Sequence, residues 1–153
     1  MQPQDSPSQK SATYGVALAK EVLTETVAHL AEIESRLQGI AEELKKTQPL
    51  AAGAVTLHLY PCGPGCLGCP HPRWVKWYIG RHKTGGTAFM ARDLDTKTDP
   101  ALVLTRSKDF APGYRATLGL VREAKRLIAA KGRMIQLLSR LSKTGTRVEG
   151  DSA

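Results

Sequence analysis

Aromatic side chains are scarce: two tryptophans, four tyrosines and two phenylalanines in 153 residues. Any core is therefore mostly aliphatic, and a chain of this length supports one modest core. No stretch approaches the roughly 18 apolar residues of a membrane span. The opening MQPQDSPSQKSATYG also lacks the cationic and apolar blocks of a signal peptide. The expectation is a soluble, cytoplasmic protein without membrane contact. Cysteine is limited to three residues, an odd number that cannot all pair within one chain, so reduced thiols are expected rather than disulfides. Paired carboxylates, a phosphate-binding glycine loop and a Ser/His/Asp constellation are all missing, and an enzyme is not expected.

Acid is also unevenly withheld. Residues 1–50 carry 5 basic and 7 acidic groups, 51–99 carry 6 and 3, and 100–153 carry 11 and 4, within a net charge of +8. A polyanion, nucleic acid before membrane, is expected to dock on the second half.

Residues 1–12 and 144–153 are rich in Ser, Gln, Gly, Thr and charge, and read as disordered tails around a single α+β domain over 13–143. Within it, 13–48 reads as a coiled-coil-like helix. Val16, Leu23, Leu30, Leu37 and Leu44 repeat every seventh residue, with Ala19, Thr26, Ile33 and Ile40 completing the seam. That seam can pack on the chain's own last helix or on its twin in a homodimer. Region 54–94 reads as an antiparallel sheet of about three strands: AVTLHLY, RWVKWYIG and, after the turn RHKTGG, TAFMARDL. The alternation places Val55, Leu57 and Leu59 with Val75, Trp77 and Ile79 towards the helices, Trp77 in the core and Trp74 partly exposed. In TKTDPALVLT, Asp99 before Pro100 suits a short helical turn or loop, although ALVLT also fits a fourth strand.

The last element, 112–143, is read as a long basic helix packed on the first. At about 100° per residue, Leu120, Ala124, Leu127, Ile128, Ile135 and Leu138 share one arc, with Lys131 inside it. Lys131 can snorkel to the rim, or the helix can bend at Gly132. Arg115, Arg122, Arg126, Arg133 and Arg140 fall in a single stripe on the opposite side, about 38 Å long. Residues 115–143 hold eight basic groups and one acid, Glu123. Intrahelical pairing cannot neutralise such a stripe. Guanidinium forks suit phosphate oxygens. An acidic protein surface, or plain solvation, is the competing use. On the hairpin, Arg73, Trp74, Lys76, Tyr78, Arg81 and Lys83, with Tyr60 alongside, supply the mixture of stacking and charge that binds nucleic acid.

Cys62, Cys66 and Cys69 form C-x3-C-x2-C, followed by His71. Three thiolates and an imidazole complete a tetrahedral zinc set. Alternatively CGPGCLGCPHP is a rigid Pro/Gly loop whose cysteines pack as small apolar groups.

With WVKWYIGRHKTGG and DFAPGYRATLGLVREAKRLIAAKGRMIQLLSRLSK carrying the likeness, residues 70–143 resemble MobI-type mobilisation proteins of conjugative plasmids and integrative elements. That resemblance implies an accessory factor that helps prepare DNA at a transfer origin, beside a relaxase, without cutting it. A second likeness is to small proteins with a CGxxxCxC loop before a hairpin, from which CGPGCLGC departs in spacing. The expectation is a non-enzymatic, dimeric DNA-binding protein holding a duplex or its melted strand. The rival is a zinc-stabilised interaction module docking on an acidic partner.

Overall fold

The computed structural model describes residues 7–104 and 110–150, with side chains from 14 to 104 and from 110 to 143. The element order is α1 (Pro7–Thr47), β1 (Val55–Tyr60), β2 (His71–Arg81), β3 (Thr87–Asp93), α2 (Pro100–Val103) and α3 (Tyr114–Gly150). This is the expected α+β architecture: two long helices packed on each other and a three-stranded antiparallel sheet ordered β1-β2-β3.

Both helices run beyond the domain limits expected for them. α1 begins at Pro7 and α3 continues to Gly150, inside the stretches read as tails. A proline in the first turn forfeits no intrahelical hydrogen bond, and each residue added to an existing helix gains a bond for the residue it orders. Residues 1–6 and 151–153 lie outside the described residues, as do 105–109.

The lower half of the α1 seam is buried inside the chain. Ile33, Leu37, Ile40 and Leu44 pack with Leu57 of β1 and with Leu120, Val121 and Ala124 of α3. A smaller cluster, Ala54, Val55, Leu104 and Phe110, lies under the opposite end of the sheet. α2 is the short helical turn that Asp99-Pro100 suggested, with the Asp99 carboxylate accepting from the Ala101 N–H at 3.0 Å.

Polar contacts set the antiparallel register of the helices. The Thr117 hydroxyl bonds Thr47 Oγ1 at 2.8 Å, and Gly113 brings its backbone against the Thr47 carbonyl. Further along, Arg36 of α1 grips Glu123 of α3 with two N–H···O bonds of 2.7 and 2.9 Å and bonds Glu43 at 2.8 Å. The Glu123 carboxylate of the basic helix is thus tied down by an arginine of the acidic one. Arg36 holds the Glu123 carboxyl below its ordinary value of 4.5, as Lys125 does for Asp99. A depressed carboxylate adds stability that is complete above its unfolded pKa and is lost as pH falls through the lower folded value. We expect Glu123→Gln to cost about 1 kcal/mol near neutrality, a value discounted for the exposure of both side chains. An acid titration of unfolding checks this: the variant's stability should fall less between pH 5 and 3 than the wild type's, in the window of roughly the unfolded glutamate pKa and below.

The sheet faces are assigned differently from the alternation argument. Leu57 lies opposite Trp74, Val55 opposite Lys76 and Leu59 opposite Pro72. Directly opposed residues share a face, so Trp74 accompanies the apolar side of β1 and packs against both core clusters. Val75, Trp77 and Ile79 share the other face with Thr56. Trp77 is half-buried there, its indole N–H donating to Thr56 Oγ1 at 3.0 Å, while Ile79 is 58% exposed. Alternation defines two faces but not which one is covered.

Candidate metal centre and nucleic-acid interface

The loop between β1 and β2 gathers the three cysteines and His71. Gly63 and Gly65, at φ of 136° and 80°, take backbone conformations that side chains resist, and so let the chain reverse between Cys62 and Cys66. The result is a cluster in which Cys62 Sγ, Cys66 Sγ, Cys69 Sγ and one His71 ring nitrogen all lie within 4.8 Å of one another. Cys62 and Cys69 sulfurs are 3.0 Å apart, and His71 Nε2 is 3.3 Å from both Cys62 Sγ and Cys66 Sγ.

These residues fit a metal ion. Zinc bonds of about 2.3 Å to sulfur and 2.0–2.1 Å to nitrogen require ligand-to-ligand edges of roughly 3.5–3.8 Å, so small side-chain rotations suffice. The Cys62 N–H points at Cys69 Sγ at 3.1 Å, the kind of outer contact that steadies a thiolate ligand. Cys62 is pushed up to about 12 chiefly by its hydrogen bond to Cys69, while Cys69 is lowered chiefly by accepting that bond and then by the Cys62 N–H. All four candidate ligands from the sequence are therefore brought together.

A buried cation anchors the loop. Lys131 is only 4% exposed, and its ammonium donates to the Pro70 carbonyl at 2.7 Å and faces Glu34 of α1 at 3.3 Å. Lys131 does not snorkel to the rim. The desolvated charge is instead neutralised by a carboxylate and a carbonyl. Because Pro70 lies between Cys69 and His71, this bond fastens the cysteine loop to both long helices.

On α3, Arg115, Arg122, Arg126, Arg133 and Arg140 are all exposed. Carboxylate partners on this helix are taken by Lys125, bonded to Asp99 at 2.8 Å, and by buried Lys131. Among the described residues Arg115, Arg122, Arg126 and Arg133 have no carboxylate within 4.0 Å; Arg140 borders an apolar groove between the helices.

The hairpin fits its expected role less evenly. Trp74 packs against both core clusters yet remains half-buried, partly exposed as expected, and lines a surface pocket with Arg73 and Asp93. Arg73 is bound to Asp93 at 3.0 Å and lies over the Tyr60 ring at 4.8 Å. Lys76 is half-buried opposite Val55, whereas Arg81 and Lys83 are exposed near the tip. Tyr78 is half-buried with Arg92 over its ring at 5.8 Å. His82 bonds Thr84 within the turn at 2.7 Å. Arg92 and Arg36 were overlooked in the sequence, since an arginine's partner across a sheet or between helices has no signal in local spacing. Comparison with protein families, with curated proteins and with solved structures finds no match.

Proposed function

We propose that this chain is a non-enzymatic DNA-binding accessory protein whose loop 62–71 is built around a structural zinc ion. One observation carries the DNA reading: four exposed arginines, Arg115, Arg122, Arg126 and Arg133, recur along one helix with no carboxylate within 4.0 Å among the described residues. Leaving such a row unneutralised costs self-repulsion, and phosphate removes that cost. With Arg140 the row extends about 38 Å, comparable to the roughly 34–36 Å of one duplex turn.

Half-burial of Trp74 against the two core clusters favours the duplex over a melted strand. Base stacking needs open aromatic faces, and here an arginine already lies over one face of Tyr60 and of Tyr78. Exposed Arg81 and Lys83 supply further phosphate contacts from the hairpin tip. The resemblance to MobI-type proteins adds a setting, in which the protein holds origin DNA while a relaxase cuts it.

The test is duplex binding as a function of salt. Replacing Arg122, Arg126 and Arg133 together by Gln is expected to weaken binding at least tenfold and to flatten the log–log salt slope by about 3. An unchanged slope would sink the assignment. A second reading is favoured by the way α3 already uses Lys125 and Lys131 on carboxylates of other elements. In it the ridge docks on an acidic protein; indifference to DNA at low salt, with zinc retained, would select it.

A further inference from the structure

The upper halves of the two long helices differ from the lower halves. From Ile33 downward the α1 seam is buried, whereas above Leu30 the same apolar pattern continues uncovered. Leu18, Ala19, Val22 and Leu23 of α1 face Leu137, Leu138 and Leu141 of α3 across a groove of about 610 Å³. Eight large apolar residues on these two segments each expose between 48% and 76% of their surface. Five of them, Leu18, Val22, Leu23, Leu137 and Leu141, line the groove, and their exposed surface is on the order of 500 Å², at the upper end of the largest patch on a typical monomer (~300–600 Å²).

Charge identifies the occupant. Glu21 and Glu25 lie three and seven residues after Leu18, on the outer rim of the α1 wall, while Arg133 and Arg140 flank Leu137 on the α3 wall. One rim is acidic and the other basic, so the surface is complementary to itself after a two-fold rotation. An axis across the helices stacks α1 on α1 and α3 on α3, opposing like charges. An axis along them stacks α1 on the partner's α3. We propose that a second copy of the chain closes this groove, forming a four-helix bundle in which α1 of each protomer runs antiparallel to α3 of the other. All neighbouring helices are then antiparallel, with opposed dipoles and opposed rim charges. Arg115, Arg122 and Arg126 stay outside the bundle, so each dimer presents two ridges.

The mass in solution, measured without DNA across the micromolar range, is expected to be twice the 16.6 kDa of the chain. Leu18→Glu with Leu137→Glu should give a monomer of unchanged helical circular dichroism, because both side chains are already more than half exposed. Glu21→Lys with Glu25→Lys should weaken the dimer at least tenfold, and adding Arg133→Glu with Arg140→Glu should restore it. A wild-type monomer throughout the range, with the groove left to some other protein, overturns the proposal. So does a dimer indifferent to Leu18→Glu, or one that the double charge reversal fails to restore. Should the leucine variants unfold, the wild-type mass and the charge-reversal pair still decide.

Discussion

Chelating zinc from the loaded protein is expected to lower its melting temperature by roughly 8–15 °C while leaving most of the helical signal in place. The size follows from linkage: a ligand at about a thousand times its dissociation constant stabilises the folded state by about 4 kcal/mol, and each kcal/mol shifts a chain of this length by roughly 2–4 °C. The helical signal persists because the core of Ile33, Leu37, Ile40, Leu44, Val121 and Ala124 includes no ligand. What loosens is the loop and the start of β2, through Pro70 and Lys131. Cys66→Ser should bind zinc at least tenfold more weakly, and cobalt in its place should lose part of the thiolate charge-transfer absorption. Binding should also weaken as pH falls, because each thiol must lose its proton before its sulfur can hold the ion. Protein purified in the presence of zinc that retains far less than one equivalent, with no thiolate absorption on adding cobalt, would refute the metal site.

The second large effect is expected at the corner where the two helices meet. A methyl group at Gly113 would lie 1.8 Å from the Thr47 carbonyl oxygen, a backbone atom that cannot swing aside. To accept Gly113→Ala the helices must separate at this point, which also strains the Thr117 to Thr47 hydroxyl bond and the close packing around buried Val121. The expected loss is about 3 kcal/mol or more, in the range of overpacking combined with a broken buried hydrogen bond. Gly119→Ala is the control. It lies in the same helix with nothing within 4 Å of the added methyl, and should stabilise by about 0.5–1 kcal/mol through helix propensity alone. Chemical denaturation of both variants separates the two cases; equal and small effects would mean that the corner is looser than the contact at Gly113 requires.

How far the ligand cluster and the helices are legible before folding depends on distance along the chain. Cys62, Cys66, Cys69 and His71 lie within ten positions, so a turn of modest length must bring them close whatever surrounds it. The seven-residue repeat of α1, the arginine stripe of α3 and the three alternating strands are likewise local periodicities, and local backbone geometry converts them directly into faces. Nothing local says which face is covered. The sheet turned Trp74 inward and left Ile79 in water because β1 pairs with β2 in the register that sets Leu57 against Trp74. Lys131 became the anchor of the cysteine loop because α1 brought Glu34 within reach and the loop brought the Pro70 carbonyl, contacts that span 97 and 61 residues. Composition and spacing thus determined the elements and the ligand set. Burial, ion pairing and the open upper groove were decided only when segments remote in the chain met, since the free energy of each depends on what lies opposite rather than on what lies next.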